Sequence, residues 1–196
     1  MIKSYQISSL ENIMPKTEQN FVNINEITII KGEKTSYQIA YIGDRVCDCK
    51  IEVESDIKDN IHIYKVDCVG VKRTVFFPKA LEDDNYLSVE PGLYPDLLSE
   101  IKDNTIPLAY YYQGLWIETD KNIVPGKHEI KITISNGEDS VSHLMTVEVL
   151  KLSLPEQNLI YGLAVHADCI ADYYGYQVFS EEHWAMLKKF NKLSAE

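Results

Sequence analysis

Residues 126–150 read GKHEIKITISNGEDSVSHLMTVEVL and contain the clearest structural signal of the 196-residue chain. From residue 128 to residue 134 every second position is histidine or isoleucine, and polar residues lie between them. This two-residue period is typical of a β-strand with one buried and one solvated face. Asn136 and Gly137 follow, and β-rich sequence resumes at residue 141. Because Asn-Gly between two such runs favours a turn with positive φ, the stretch predicts a β-hairpin.

The same period recurs at residues 47–54, and weaker strand candidates occur at residues 27–30, 36–42, 61–69, 72–77 and 115–119. About eight short strands separated by turn residues predict an antiparallel β-sandwich whose core extends from about residue 20 to residue 152. Residues 80–107 contain three prolines and an acidic run, which predicts a long surface excursion without a regular element. The positions expected to be mostly buried are Cys47, Cys49, Ile51, Val53, Ile130, Ile132 and Ile134.

The pattern changes after residue 155. Residues 159–165 are continuously apolar, as in a strand that is buried on both faces. A helix is expected next, with Ser180 as its N-cap and a contact between Phe179 and Trp184 across its start. We therefore predict a β-sandwich domain over residues 1–154 and a single βα unit over residues 155–196.

Charge and composition exclude several classes of function. Thirty acidic residues against nineteen basic ones give a net charge of −11, which disfavours binding to nucleic acid or to an anionic membrane. No apolar run approaches the roughly 20 residues of a membrane-spanning helix. The N-terminus has no apolar signal core, and four sparse cysteines are typical of reduced thiols, so we expect a cytoplasmic protein. The two-residue spacing of Cys47 and Cys49 is not that of a zinc site, and no motif indicates a cofactor.

Three other groups are candidates for a binding or catalytic role. Residues 110–112 are three consecutive tyrosines that, together with Trp116, are candidates for a sugar-stacking platform, although packing in the core is the favoured interpretation. Residues 173–176 are expected to pack a loop. Cys169 follows His166 by three residues, but no nucleophile elbow or oxyanion hole accompanies this pair, so a thiol enzyme is disfavoured.

Five stretches in order point to a family: PGLYPD, GLWI, VPGKH, HADCIADYYG and VFSEEHW, which begin at residues 91, 114, 124, 166 and 178. Their arrangement resembles the N-terminal part of proteins related to glycoside hydrolase family 123, many of which carry only the label of a domain of unknown function. The resemblance spans most of the chain, and its most specific part is the block over residues 166–184.

The resemblance implies a β-sandwich that leads into a (β/α)₈ barrel, which cleaves a β-linked N-acetylhexosamine with an Asp-Glu pair. A barrel needs about 250 residues, whereas the sequence after residue 157 has room for one strand and one helix, so we expect a truncated barrel. The acidic pair of such barrels lies on later strands, and the resemblance assigns no catalytic residue here. His166 and Asp168 are expected to contact sugar only in the complete barrel; alternatively, His166 caps the strand and Asp168 begins the next helix.

The first functional interpretation is therefore a non-catalytic N-terminal portion of a glycoside-hydrolase-like protein of carbohydrate metabolism. The chain alone is expected to be inactive, without metal or cofactor. The alternative is a stand-alone β-sandwich module for protein interaction or self-association, with a homodimer joined through residues 159–193.

Overall fold

The computed structural model of the chain describes residues 1–72, 88, 90–156, 158, 162 and 166–195. The backbone divides into two compact units, Met1–Pro155 and Glu156–Glu196. The first unit is built from strands, and the described helices of eight or more residues belong to the second unit.

Ten strands in the described part of the first unit form two five-stranded sheets. The first sheet has the order β1-β3-β8-β5-β6 and the second has the order β2-β10-β9-β4-β7. Neighbouring strands are antiparallel except β2 and β10, which are parallel. The strands are β1 Ile2–Ser8, β2 Glu26–Lys31, β3 Ser36–Gly43, β4 Cys47–Ser55, β5 Ile61–Val71, β6 Gly92–Glu100, β7 Thr105–Leu108, β8 Gln113–Thr119, β9 Gly126–Ser135 and β10 Ser140–Ser153.

The predicted β-sandwich and most of its strands are confirmed, but the surface excursion predicted over residues 80–107 is wrong from residue 92 onward, while residues 80–87 and 89 lie outside the described residues. This stretch contains β6 and β7, whose sequences include Pro95 and Pro107. Each is the last strand of its sheet. An edge strand needs hydrogen-bond donors on one side only, so proline is tolerated there. The predicted strand over residues 72–77 lies almost entirely outside the described residues.

The start of the sandwich was also placed too late. The first sheet begins with β1, whose seven residues pair with β3 from Ile2 opposite Gly43 to Ser8 opposite Tyr37. A weak alternation in β1 hid this strand, since both Gln6 and Ile7 are buried. Gln6 is accommodated because its side-chain amide donates hydrogen bonds to the carbonyls of Ile24 and Leu144. The core therefore starts at the second residue of the chain.

The predicted hairpin is formed by β9 and β10, which face each other from Ser135 opposite Ser140. Gly137 has φ of +86°, as the Asn-Gly pattern requires. The side-chain oxygen of Asn136 accepts hydrogen bonds from the backbone N–H groups of Glu138 and Asp139. The turn is thus stabilised by its own first residue.

The predicted strand register is correct. Exposed Glu52 and partly exposed Lys131 lie on the outer face of the second sheet, opposite the side that the core occupies. Cys47 and Val53 are half-buried and pack against the core. The remaining positions predicted for this core are buried: Cys49, Ile51, Ile130, Ile132 and Ile134.

A second, smaller apolar cluster lies on the other side of the first sheet. It contains Ile7, Ile13, Ala40 and Tyr112, with Phe21 packed against it. Ile13 and Phe21 come from the connection between β1 and β2, so this connection covers part of the outer face of the first sheet. Tyr112 is therefore a packing residue, as the sequence favoured.

The second unit contains helices α1 (Ala167–Tyr174) and α2 (Glu181–Ala195). The predicted helix start is confirmed, since the Ser180 hydroxyl accepts a hydrogen bond of 3.3 Å from the His183 N–H and the rings of Phe179 and Trp184 stack with centroids 5.5 Å apart. The predicted strand over residues 159–165 falls outside the described residues, apart from Gly162. Among the helices described, none has the length and apolarity to cross a bilayer.

Candidate functional site

The two site residues expected from the sequence, His166 and Asp168, lie at the start of α1. His166 occupies the N-cap position with an extended backbone, and its side chain makes no capping hydrogen bond. Asp168 lies in the first helical turn, where the helix dipole favours a negative charge. Both side chains are exposed. The structure therefore places both residues at the helix N-terminus, and Asp168 but not His166 is in the lining of a cavity there.

Asp168 lines a shallow cavity of about 390 Å³ in this unit. Its lining also includes Cys169, Asp172, Tyr176 and Val178. Asp168 and Asp172 are four residues apart, which puts them on the same face of α1. The cavity therefore presents two carboxylates and a thiol beside an apolar surface. Within the described residues, no hydrogen bond joins His166 to Cys169.

The residue that organises this region is His183, which the sequence did not single out. It is fully buried, although it lies in the first turn of α2. Its Nδ1 accepts a hydrogen bond of 2.8 Å from the Phe179 N–H, and its Nε2 lies 2.7 Å from the carbonyl oxygen of Ala167. An Nδ1 that accepts requires the proton to be on Nε2, which then donates to Ala167. His183 thus ties the start of α1 to the start of α2.

Aromatic side chains surround the same two helices. The rings of Tyr174 and Tyr176 stack with centroids 5.8 Å apart, and Tyr174 also contacts Tyr173 and Phe190. These tyrosines were predicted to pack a loop, but Tyr173 and Tyr174 belong to α1, and the ring contacts join them to each other, to Tyr176 and to α2. Tyr173 and Phe179 nevertheless remain well exposed.

The other tyrosine group is divided by the structure. Tyr110 and Tyr111 are exposed in the loop between β7 and β8, whereas Tyr112 is buried in the smaller apolar cluster. Trp116 lies in β8 and is half-buried. The three tyrosines therefore do not form one continuous platform with Trp116.

Free thiols are found at all four cysteines. Burial, reinforced by the neighbouring Cys47, raises the pKa of the Cys49 thiol to about 11. Burial likewise raises the pKa of Cys68. Both thiols are therefore protonated near neutral pH and are poor nucleophiles. In the described ranges, no group of three or more His, Cys, Asp or Glu side chains is arranged to hold a metal ion.

The molecule is thus a mainly β protein, a two-sheet sandwich followed by a small helical unit. Its fold is similar to part of a family 123 glycoside hydrolase from Clostridium perfringens, which was analysed for glycolipid glycan hydrolysis. The TM-score is 0.74 at 17% sequence identity, and the match covers 96% of this chain and 35% of that enzyme. The chain therefore spans about a third of that enzyme's length.

A C-terminal domain of the Streptococcus agalactiae AgI/II polypeptide BspA matches with a TM-score of only 0.39 at 8% identity, over 76% of this chain and 49% of that one. A score this low supports no conclusion. No protein-family model and no curated protein sequence matches the chain.

Proposed function

We propose that this chain is a non-catalytic portion of a glycoside-hydrolase-like protein, and that its sandwich supports the substrate cleft of a catalytic barrel. The observation that carries the proposal is the fold similarity to the Clostridium perfringens enzyme over 96% of the chain. The complete protein would act on a β-linked N-acetylhexosaminide, as the resemblance of residues 166–184 implies. His166 and Asp168 would contact sugar only in the presence of the barrel.

The carboxylates near α1 support the non-catalytic part of the proposal. Substrate-assisted hydrolysis needs one group that orients the acetamido substituent and another that protonates the leaving oxygen. Asp168 and Asp172 are both exposed on the same helix, and neither carboxylate has a hydrogen-bond partner among the described residues. Their surroundings therefore do not differentiate an acid from an orienting group.

An assay with aryl N-acetyl-β-hexosaminides tests this proposal. The purified chain is expected to show no turnover above background. Turnover that survives repurification and disappears in Asp168→Asn or Asp172→Asn would contradict it, and Asp48→Asn, an exposed carboxylate on β4, is the matched control.

The gene provides a second test, because an inactive chain is also expected for a stand-alone module. If the proposal is correct, the coding sequence around this chain encodes further barrel strands, with an acidic pair at the end of one of them. A gene without any barrel sequence would instead favour the interaction module.

Self-association is the second candidate function, and the exposed apolar surface of the helical unit favours it. Trp184 is 48% exposed and Leu193 is 72% exposed, and both lie on α2. Fully burying a large apolar side chain is worth roughly 1.5–3 kcal/mol. We propose that a homodimer joined through residues 159–193 would bury these side chains.

Light scattering at micromolar concentration tests the homodimer. The expected result is a dimer that becomes monomeric in Trp184→Lys, while Leu152→Lys, an exposed apolar residue of β10, leaves the dimer intact. A monomer whose helical unit resists protease would show that self-association is not required.

A further inference from the structure

The outer face of the first sheet, which points away from the second sheet, has a half-buried tryptophan at its centre. Leu115 and Ile117 of β8 belong to the core between the sheets, so the alternation of β8 turns Trp116 outward. The indole Nε1 is buried and has no hydrogen-bond partner among the described residues. The exposed part of this side chain is therefore the carbon surface of the ring.

Trp116 lines a cavity of about 260 Å³, called here the Trp116 cavity. Val66 and Leu98 extend its apolar floor along β5 and β6, where they face each other across the sheet. Glu11 and Asn12 stand on one side of the cavity and Asp96 on the other. A flat apolar floor is thus bordered by two carboxylates and one amide.

The wall that carries Glu11 and Asn12 is held in place by Gln38. The Gln38 side-chain nitrogen donates to the carbonyls of Ser8, Ser9 and Glu11 at 3.4, 3.3 and 2.8 Å. Gln38 is buried and lies opposite Trp116 in the β3–β8 pair. One side chain therefore fixes the turn that forms the wall, next to the indole of the floor.

The opposite wall is shaped by a β-bulge. The pairing of β5 with β6 jumps from Asp67 opposite Leu97 to Cys68 opposite Pro95, so Asp96 is the extra residue. Bulges redirect a side chain out of the regular alternation and often occur beside binding sites. Here the bulge residue is a carboxylate that lines the Trp116 cavity.

A second cavity of about 390 Å³ lies next to the first and shares Ile13 and Val66 with it. Its lining includes Tyr111, which is 46% exposed, and Gln113. Ile13 can approach the sheet between the two cavities because Gly114 has no side chain, and a Cβ there would lie 3.1 Å from Ile13 Cδ1. The two cavities adjoin at Ile13 and Val66 and are together called the groove, with Trp116 in the lining of one half and Tyr111 in the lining of the other.

The lining chemistry limits the class of ligand. Among the described residues that line the two cavities none is Lys, Arg or His, and Glu11, Asp67 and Asp96 are acidic. Phosphates, nucleic acids and acidic sugars are therefore disfavoured. The two volumes lie near the lower end of the roughly 300–1,000 Å³ of small-ligand pockets, so each half suits a single ring.

We propose that this groove binds a neutral oligosaccharide, with one ring on Trp116 and the next beside Tyr111. The apolar C–H face of a pyranose matches the exposed carbon surface of the indole. Its hydroxyl groups donate to the carboxylates of Glu11 and Asp96, and Asn12 offers both a donor and an acceptor. This site lies wholly within the sandwich and does not depend on a catalytic barrel.

Tryptophan fluorescence tests the proposal, because the chain contains two tryptophans, Trp116 and Trp184. In Trp184→Phe only Trp116 is left to report. Titration of this variant with lactose, maltotriose and N,N′-diacetylchitobiose is expected to give a saturable change with at least one of them at millimolar concentration. In the reciprocal variant, Trp116→Phe, the remaining Trp184 is expected to give no change.

Carboxylate variants then locate the site. Asp96→Asn and Glu11→Gln, made in the Trp184→Phe background, are expected to weaken binding about tenfold each, because each loses a charged hydrogen-bond acceptor. Glu52→Gln, on the outer face of the second sheet, is the matched control and keeps full affinity. Circular dichroism confirms that each variant is folded.

Four results would overturn the proposal. The first is no fluorescence change with any of the three sugars. The second is unchanged affinity in both Asp96→Asn and Glu11→Gln. The third is that the chain binds tetralysine but none of the sugars, and that high salt abolishes the tetralysine binding. That result would identify a site for cationic peptides. An affinity for 6′-sialyllactose greater than that for lactose would also contradict the charge argument.

Discussion

The sandwich and the helical unit differ in how completely their described apolar side chains are buried. In the sandwich, Ile130, Ile132 and Ile134 are completely buried between two sheets. In the helical unit, Trp184 and Leu193 stay largely exposed, and the fully buried polar residue is His183. The stabilising free energy of hydrophobic burial grows with the apolar area that is removed from water. The sandwich is thus stabilised mainly by its core, whereas the described part of the helical unit combines a small apolar contribution, in which Ile170 and Ala171 are buried, with the polar link through His183.

The largest expected effect is in the sandwich core. Ile132→Ala removes methyl groups from a fully buried site and is expected to lower the free energy of unfolding by about 2–5 kcal/mol. Urea denaturation followed by tyrosine fluorescence measures it. Leu144→Ala, on the exposed side of neighbouring β10, is the control and should cost far less. Equal losses in the two variants would contradict the difference in burial.

Next in size is the loss of the polar link between the two helices. His183→Ala leaves the Phe179 N–H and the Ala167 carbonyl without their partner, which costs about 1–3 kcal/mol for a buried group. We expect faster proteolysis within residues 166–195 and an unchanged urea midpoint of the sandwich. Exposed His166→Ala serves as the control. A lower urea midpoint of the sandwich in His183→Ala would show that the stabilities of the two units are not independent.

Two histidines of the sandwich are expected to give pH effects of opposite sign. Burial lowers the pKa of His143, whose Nε2 lies 2.7 Å from the Ser4 hydroxyl oxygen. Burial alone would also lower the pKa of His128, but the Val124 carbonyl and the Asp56 carboxylate together raise it. Both ring nitrogens of His128 donate, at 2.7 Å to Asp56 and 2.8 Å to Val124.

The unfolded pKa of histidine is about 6.5. The contribution of His143 is therefore present above this pH and is lost as the pH falls towards its lower folded value. The contribution of His128 is present below about 6.5 and is lost as the pH rises through its higher folded value. Thermal unfolding between pH 5 and pH 8 checks both signs. His143→Gln should reduce the pH dependence of the unfolding temperature at the acidic end of this range, and His128→Gln should reduce it near neutral pH. Identical pH profiles of the two variants would contradict both predictions.

The smallest expected effect is at the start of α2. Ser180→Ala removes the side-chain cap and should destabilise the helix by about 1 kcal/mol. Hydrogen exchange of the first turn of α2 measures this change. Ser194→Ala, which loses a bond from its hydroxyl to the Phe190 carbonyl near the other end of α2, is the matched control. Exchange that is equally fast in both variants would argue against a specific cap.

Much of the fold could be predicted because its signals are local. The alternation of β4 and β9, the Asn136-Gly137 turn and the Ser180 cap each depend on residues at most a few positions apart. The buried His183 was missed because its partner, Ala167, lies 16 residues earlier. The groove at Trp116 was missed as well. It depends on the β3–β8 pairing that sets Gln38 opposite Trp116, on the hydrogen bond from Gln38 to the Glu11 carbonyl, and on the β5–β6 bulge at Asp96. The exposed positions of His166 and Asp168 also required the structure.

The sequence by itself determined that β4, β9 and β10 of the second sheet are strands and where α2 begins, because side-chain period and capping chemistry are properties of neighbouring residues. Tertiary structure decided that β6 and β7 are edge strands that accept prolines, that β2 lies parallel to β10, and that Trp116 faces outward between two carboxylate-bearing walls. These features depend on which strand lies beside which. That choice is made by the burial of residues far apart in the chain, so no local pattern can encode it.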